Sequence, residues 1–220
     1  MITPKEKKYY MPAEWYPHKC CWMQWPYNNP NHNGYDTIPS WSHFDFEKGR
    51  LAWANVANSI VKFEQVKMIT HPDEIRKAKK LLDSKIEIIE FKIDDCWARD
   101  SGAIFLLNDK NMLGGIDWEF NGWGKFKPYD SDNKIAKFMI ENSSAAYFKN
   151  QMILEGGSIH VDGEGTLLTT EQCLLNKNRN PKLSKKEIEK NLKEYLNINK
   201  IIWLKNGTDE GTDGHVDNIA

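Results

Sequence analysis

Two groups of side chains in this sequence have types and spacing that could bind a cation. The first places Asp94, Asp95 and Asp100 beside Trp97 and Arg99, between two predicted strands. In this cluster Asp100 offers two oxygens to a planar cation, and Trp97 offers a ring face on which the cation stacks. The alternative is a structural loop in which Arg99 pairs with one of the aspartates. Spacing alone favours the structural loop, because structural ion pairs imitate functional sites.

The second group adds a glutamate and a histidine further along the chain. Glu155 precedes two glycines directly after an apolar run, and glycine permits a positive φ or a close backbone approach. A glutamate held there can orient an imidazole, whereas the alternative is an ordinary turn with a solvated side chain. His215 and Asp217 are two residues apart and would share one face of an extended segment. Such a pair can combine proton transfer with cation recognition.

These polar clusters follow successive predicted strands, which is how a pocket is built on an α/β frame. Carboxylates that converge on one point favour a planar cation over an anion, and a guanidinium is the natural candidate. Metal binding by His215 and Asp217 is the weaker alternative, because no HExxH motif or cysteine cluster supplies further ligands. We therefore predict a small-molecule guanidine ligand in preference to a metal ion.

Composition excludes several classes of partner and sets an expected compartment. The chain has 30 Lys and Arg against 31 Asp and Glu, so no charge excess points to nucleic acid or to an anionic membrane. The sequence shows neither an apolar signal segment nor 18 consecutive apolar residues. The four cysteines form no CxxC pair, and their spacing suits neither a disulfide framework nor a zinc site. A reduced cytoplasm is the expected location.

Hydrophobic periodicity and turn residues predict alternating short strands and amphipathic helices. Thr70 and Pro72 predict a helix start, Ser184 and Glu187 predict a capping box, and residues 162–165 predict a hairpin turn. No linker is apparent, so we expect α/β layers in a single domain, residues 1–220. Helices are predicted at 46–60, 70–84, 131–148 and 184–196, and strands at 63–69, 86–93, 102–107, 112–120, 152–154, 158–161, 166–170 and 200–204.

Several long motifs run along the chain and are Met11-Pro-Ala-Glu-Trp-Tyr-Pro-His18, Trp22-Met-Gln-Trp-Pro26, Trp97-Ala-Arg-Asp-Ser-Gly102, Asp117-Trp-Glu-Phe-Asn-Gly-Trp-Gly124, Leu154-Glu-Gly-Gly-Ser-Ile-His-Val-Asp-Gly-Glu-Gly-Thr166, Asn178-Arg-Asn-Pro181 and Gly214-His-Val-Asp-Asn218. In content and order these motifs resemble those of agmatine deiminases, of the porphyromonas-type peptidylarginine deiminase family in the pentein superfamily. The resemblance implies a five-bladed α/β propeller, of which about three blades would be present here.

The resemblance also implies roles for individual residues. Asp100 and Asp217 match the two aspartates that bind the guanidinium, and His215 matches the general acid and base. Glu155 matches the carboxylate that assists at the guanidine and the histidine, and Trp97 is expected to line the pocket. The implied reaction is hydrolysis of agmatine to N-carbamoylputrescine and ammonia through a cysteine thiouronium intermediate, without metal or cofactor.

The family's nucleophile is a cysteine in a later segment of the Gly-Gly-Gly-Asn-Ile-His-Cys type, and this sequence has no match to that motif. Cys96 lies in the first polar cluster, and Cys20, Cys21 and Cys173 fall in unrelated stretches. We therefore expect a C-terminally truncated chain that is inactive by itself. Its open sheet edges would favour association, a homo-oligomer included.

Two other functions remain open at this point. One is a non-catalytic module that binds guanidines or polyamines. The other is a peptidyl-arginine deiminase or an amidinotransferase of the same superfamily.

Overall fold

A computed structural model describes residues 2–33 and 45–220. The chain divides into two compact units, which are described separately. The first unit comprises Met1–Tyr16, Arg99–Lys125 and Asn133–Ala220. The second unit comprises Pro17–Ala98 and Phe126–Asp132.

Helices and strands alternate along most of the described chain, as the hydrophobic periodicity predicts. The strands are β1 (Tyr9–Tyr10), β2 (Cys20–Gln24), β3 (Gln65–Thr70), β4 (Glu87–Glu90), β5 (Ile104–Asn108), β6 (Leu113–Glu119), β7 (Ala146–Ile153), β8 (Ile159–Val161), β9 (Thr166–Thr170) and β10 (Lys200–Leu204). The α-helices are α1 (Phe46–Ile60), α2 (Ile75–Leu81), α3 (Ala98–Ser101), α4 (Ile135–Asn142), α5 (Glu171–Leu174) and α6 (Lys185–Leu196).

The second unit is built on a parallel sheet in the order β2-β3-β4. Helix α1 has the predicted bounds, and Asp45 caps it by accepting from two backbone N–H groups. Its buried face carries Arg50, whose Nε lies 2.8 Å from Glu74 Oε2, whereas Leu51 and Val56 are about half exposed. Apolar spacing thus predicted the position of this helix. The core of this unit contains Trp25, Ala54, Ala57, Val66, Met68, Ala78, Leu82 and Ile86.

The first unit contains two sheets. One has the order β1-β5-β6-β7, with antiparallel β1, β5 and β6 and a parallel β6–β7 pair. The other has the order β10-β9-β8, with a parallel β10–β9 pair and the predicted antiparallel β8–β9 hairpin. Helix α6 begins with the predicted capping box between Ser184 and Glu187. It contributes Ile188, Leu192 and Leu196 to the core of this unit.

Two predicted elements differ from the structure. The helix predicted over residues 131–148 ends at Asn142, because Ser144 takes φ +50° and Ala145 N–H returns to the Ile140 carbonyl. Strand β7 then begins at Ala146. The cap predicted at Thr70 is supplied by His71, whose Nδ1 accepts from Asp73 N–H.

Periodicity did not reveal every element of the mixed α/β fold. Strands β1 and β2 and the short helix α5 had no clear pattern in the sequence. Over the residues that the structure describes, no helix is long and apolar enough to span a bilayer. The α/β class predicted from the sequence is confirmed, and it places the polar clusters of the first unit at element ends.

Candidate active site

Three loop ends of the first unit converge on one point. Asp100 lies in α3, and Gly157 lies in a short 3₁₀ turn between β7 and β8. His215 precedes a second 3₁₀ turn that contains Asp217. Ligand atoms of Asp100, His215 and Asp217 lie within 4.8 Å of one another. The structure therefore brings these three predicted site residues together, although their chemical roles stay predictions.

Gly157 leaves the space in which the three polar groups meet. A Cβ at this position would lie 2.5 Å from Asp217 Oδ2, 2.6 Å from His215 Nδ1 and 2.7 Å from Asp100 Oδ1. A Cβ on the neighbouring Gly156 would collide with the carbonyl oxygen of Arg99. Both glycines therefore allow other atoms to approach the backbone closely, which is one of the two roles predicted for the pair from the sequence.

Asp100 is fixed by two hydrogen bonds. Its Oδ1 accepts from the Gly157 N–H at 2.9 Å, and its Oδ2 accepts from the indole N–H of Trp123 at 2.9 Å. Trp123 has φ +54° and lies between two glycines that also have positive φ. Such a conformation is costly for a bulky residue and is retained where the surroundings enforce it. Trp123 therefore positions the Asp100 carboxylate.

His215 lies between Asp100 and Glu155 and is 1% exposed. Its Nδ1 is 3.6 Å from Asp100 Oδ1, and its Nε2 is 4.0 Å from Glu155 Oε2. The sequence predicts an extended segment at His215 and Asp217, whereas the structure forms a 3₁₀ turn at Val216–Asn218. The extended geometry was wrong, but the turn still directs both side chains to Gly157.

Glu155 is fully buried and is paired with a buried arginine. Its Oε1 accepts from Arg179 Nε–H at 2.6 Å. The same guanidinium donates from Nη1 to Asp213 Oδ2 at 2.6 Å and from Nη2 to the Thr212 carbonyl at 3.1 Å. Lys125 Nζ lies 2.6 Å from the other oxygen of Asp213. This network fixes Glu155 and the segment that leads to His215.

Residue types and spacing assign no role to Trp123 or Arg179, and for Gly157 they indicate only a positive φ or a close backbone approach. All three lie in motifs that carry the family resemblance, at Asp117–Gly124, Leu154–Thr166 and Asn178–Pro181. The motifs were therefore the available signal. Their partners lie 23, 57 and 24 residues away along the chain, so spacing could not have identified the contacts.

The electrostatics of the site favour neutral groups at its centre. Burial raises the pKa of Asp100. Burial and the neighbouring Asp100 raise the pKa of Asp217, and burial lowers the pKa of His215. A cation between the carboxylates would reverse this balance for the aspartates, because it favours their ionised forms. The cluster can therefore accept a planar cation and place it beside an imidazole.

Some residues of the first polar cluster serve the second unit. Asp94 Oδ2 accepts from Ser131 N–H at 2.7 Å, and Asp94 N–H donates to Asp132 Oδ1 at 2.9 Å. The Trp97 ring meets Trp53 edge-on at 5.7 Å within the same unit. The role predicted for Trp97 in lining the pocket stays a prediction.

Arg99 behaves differently from the structural alternative considered for the first cluster. That alternative paired Arg99 with one of the nearby aspartates. In the structure Arg99 forms an ion pair with Glu14 in the first unit.

One cysteine lies beside the candidate site. The sulfur of Cys173, in α5, lies within 4.8 Å of ligand atoms of Glu155 and His215, although no sequence pattern connects these residues. Burial, and then the charge of Glu155, raise the pKa of this thiol well above its ordinary value. The thiol is therefore protonated at neutral pH. Cys20, Cys21 and Cys96 belong to the second unit.

The sequence of residues 10–220 matches the family of Porphyromonas-type peptidyl-arginine deiminases. The chain belongs to this family. Its relatives in the family are enzymes: an agmatine deiminase of Pseudomonas aeruginosa is 43% identical over 226 residues, which cover 99% of this chain and 59% of the relative.

Solved structures show the same relationship. An agmatine deiminase of Enterococcus faecalis aligns with a TM-score of 0.89 at 36% identity, covering 99% of this chain and 59% of that chain. A cysteine-to-serine variant of the C. jejuni agmatine deiminase, solved with substrate bound, aligns with a TM-score of 0.79 at 30% identity, covering 95% of this chain and 60% of that chain. The chain thus spans about three fifths of the length of these family members.

Proposed function

We propose that this chain supplies the guanidine-binding half of the active site of an agmatine deiminase. Asp100 and Asp217 hold the guanidinium, His215 transfers protons and Glu155 assists the histidine. The observation that carries this proposal is the convergence of two carboxylates and an imidazole over Gly157. The names of the relatives supply agmatine as the substrate.

The proposed reaction uses a cysteine thiolate at the guanidinium carbon. Attack forms a tetrahedral adduct, and a proton from His215 allows ammonia to leave, which produces an S-linked thiouronium. Water then adds to the same carbon and gives its proton to His215. Collapse of this adduct expels the thiolate while the hydroxyl proton passes to solvent, so that the agmatine guanidinium and water become N-carbamoylputrescine, ammonia and one proton. Fixed carboxylates are needed because the carbon must be held in line with the sulfur.

We also propose that the 220-residue chain does not complete this reaction by itself. A cysteine nucleophile works as the thiolate and needs a lowered pKa. Cys173, the cysteine beside the site, has the opposite shift, because it is buried next to Glu155. Proton transfer by His215 cannot replace the missing thiolate.

Calorimetric titration of the purified chain with agmatine tests the binding half of the proposal. The wild-type chain is expected to bind agmatine, and Asp217→Asn is expected to weaken binding roughly 10- to 150-fold, the value of a charge-assisted hydrogen bond. Lys190→Gln changes a salt-bridged, exposed residue on α6 and serves as the charge-neutralising control. Equal binding by wild type and Asp217→Asn would refute the proposed clamp.

An ammonia assay tests the catalytic half. No release above background is expected from the chain with agmatine. Turnover that is abolished by Cys173→Ser would show that Cys173 is a nucleophile and would contradict the proposed inactivity. Binding without turnover agrees with both halves of the proposal.

The architecture and location of the whole protein are part of the same proposal. We propose a partial five-bladed α/β propeller, the architecture that the family resemblance implies, in a cytoplasmic enzyme. Light scattering on the purified chain tests the expected association. A monodisperse monomer that melts cooperatively would contradict the predicted association through open sheet edges.

A further inference from the structure

Three side chains with metal-binding atoms meet in the second unit. His18 lies just before β2, Cys21 lies within β2 and Glu64 lies just before β3. Cys20 pairs with Gln65 in the parallel β2–β3 ladder, so the three residues share the beginning of this strand pair. Paired strands hold their backbone positions fixed, which favours a preformed site.

The distances suit a tetrahedral ion. Cys21 Sγ lies 3.2 Å from Glu64 Oε1, and His18 Nδ1 lies 3.5 Å from Glu64 Oε2. A ligand atom from each of the three residues lies within 4.8 Å of the other two. Bond lengths of about 2.0–2.3 Å at a tetrahedral zinc ion separate its ligand atoms by roughly 3.3–3.6 Å. Small side-chain rotations would therefore complete the geometry.

We propose that His18, Cys21 and Glu64 form a Zn²⁺ site. A thiolate, an imidazole and a carboxylate together favour zinc over Ca²⁺ or Mg²⁺, which take oxygen ligands. Three protein ligands leave the fourth position to water. The side chains of His18 and Glu64 are 48% and 25% exposed, so an ion reaches the site from solvent.

Zinc would replace a proton at this site. The Cys21 thiol donates to Glu64 Oε1 at 3.2 Å, and a metal ion that binds both groups takes the place of this proton. The charge of the ion compensates for both the thiolate and the carboxylate. Metal binding therefore releases a proton.

Local spacing could not have revealed this site. Cys21 and Glu64 are 43 residues apart, and the parallel pairing of β2 with β3 brings them together. A bound ion would link the start of β2 to the segment that follows α1. The expected role is to stabilise the second unit.

Titration with Co²⁺, a coloured probe for zinc sites, tests the proposal on the purified reduced chain. A thiolate-to-cobalt absorption band is expected to saturate at one equivalent and to disappear on addition of Zn²⁺. Cys21→Ser should lose the band. Cys20→Ser should retain it, because side chains of adjacent strand residues leave opposite faces.

Affinity and melting temperature provide second readouts. His18→Ala, a change at a half-exposed residue, should weaken Co²⁺ binding at least roughly 10-fold. Zn²⁺ should raise the melting temperature of wild type and of Cys20→Ser, since a ligand that binds the folded state stabilises it. If Cys21→Ser does not fold, His18→Ala decides. The proposal is overturned by the absence of a stoichiometric band in wild type, by a band that Cys21→Ser retains, or by unchanged affinity in His18→Ala.

Discussion

The first unit contains two pairs of carboxylates, and only one pair binds basic side chains of the protein. Glu155 and Asp213 hold the guanidinium of Arg179, and Lys125 completes the network. Asp100 and Asp217 face each other across Gly157. Within the described part of the chain, neither of these two carboxylates has a lysine or arginine within 4 Å.

The pKa shifts follow this difference in pairing. Hydrogen bonds from Lys125, Asn178 and Arg179 outweigh burial and lower the pKa of Asp213. Burial raises the pKa of Asp100, and burial together with the charge of Asp100 raises the pKa of Asp217. Glu155 and Asp213 form a structural guanidinium site that Arg179 occupies. Asp100 and Asp217 also offer carboxylate oxygens, and they suit the guanidinium of a ligand.

Removing the guanidinium of Arg179 should have the largest effect on the stability of the fold. Arg179→Met would leave Glu155 buried without its counter-charge, so we expect a loss of about 3–5 kcal/mol in the free energy of unfolding. Chemical denaturation monitored by circular dichroism measures it. The double variant Arg179→Met/Glu155→Gln should recover part of the loss. Equal destabilisation of the single and double variants would contradict the role assigned to this ion pair.

Substituting Gly157, where the side chains of Asp100, His215 and Asp217 meet, should affect agmatine binding more than the stability of the fold. The Cβ introduced by Gly157→Ala would displace three polar side-chain atoms. Displacing a carboxylate removes a charge-assisted hydrogen bond worth about 1.5–3 kcal/mol, so agmatine affinity should fall roughly 100-fold. Titration calorimetry measures the change. Gly163→Ala, at a glycine with positive φ in the β8–β9 turn, is a control for general destabilisation.

The sequence predicted many helices and strands and the site residues Asp100, His215 and Asp217. It did not predict the contacts of Glu155 and Asp213 with Arg179. Strand β9, helix α6 and the capping box at Ser184 follow from local patterns. Asp100, His215 and Asp217 followed from motifs. The Arg179–Glu155 pair depends on tertiary contact, as does the indole of Trp123 at Asp100. The helix predicted to 148 failed because an αL residue at Ser144 ended it, which periodicity does not encode.

Weakening the support of Asp100 should have a smaller effect. Trp123→Phe keeps most of the ring but removes the N–H that donates to Asp100 Oδ2. Hydrogen bonds to charged groups contribute about 1.5 kcal/mol or more, which corresponds to roughly a 10-fold loss of agmatine affinity. The same titration measures it. Unchanged affinity would show that the Gly157 N–H alone fixes the carboxylate.

The smallest expected effect is a pH-dependent change in stability. A carboxyl group whose pKa is raised in the folded state contributes stability below its unfolded pKa and loses it as pH rises through the folded pKa. Asp217→Asn should therefore melt about 1–2 °C above wild type at neutral pH. The difference should shrink as the pH falls below the raised pKa of Asp217. A difference that grows on acidification would contradict the assigned shift.

A crystal structure of the chain with agmatine tests the central claim most directly. The account predicts guanidinium nitrogens at about 2.7–2.9 Å from the carboxylates of both Asp100 and Asp217. The guanidinium carbon should lie over Gly157, beside the imidazole of His215. A guanidinium bound elsewhere, or an aspartate pair that contacts only the amine end of agmatine, would contradict it.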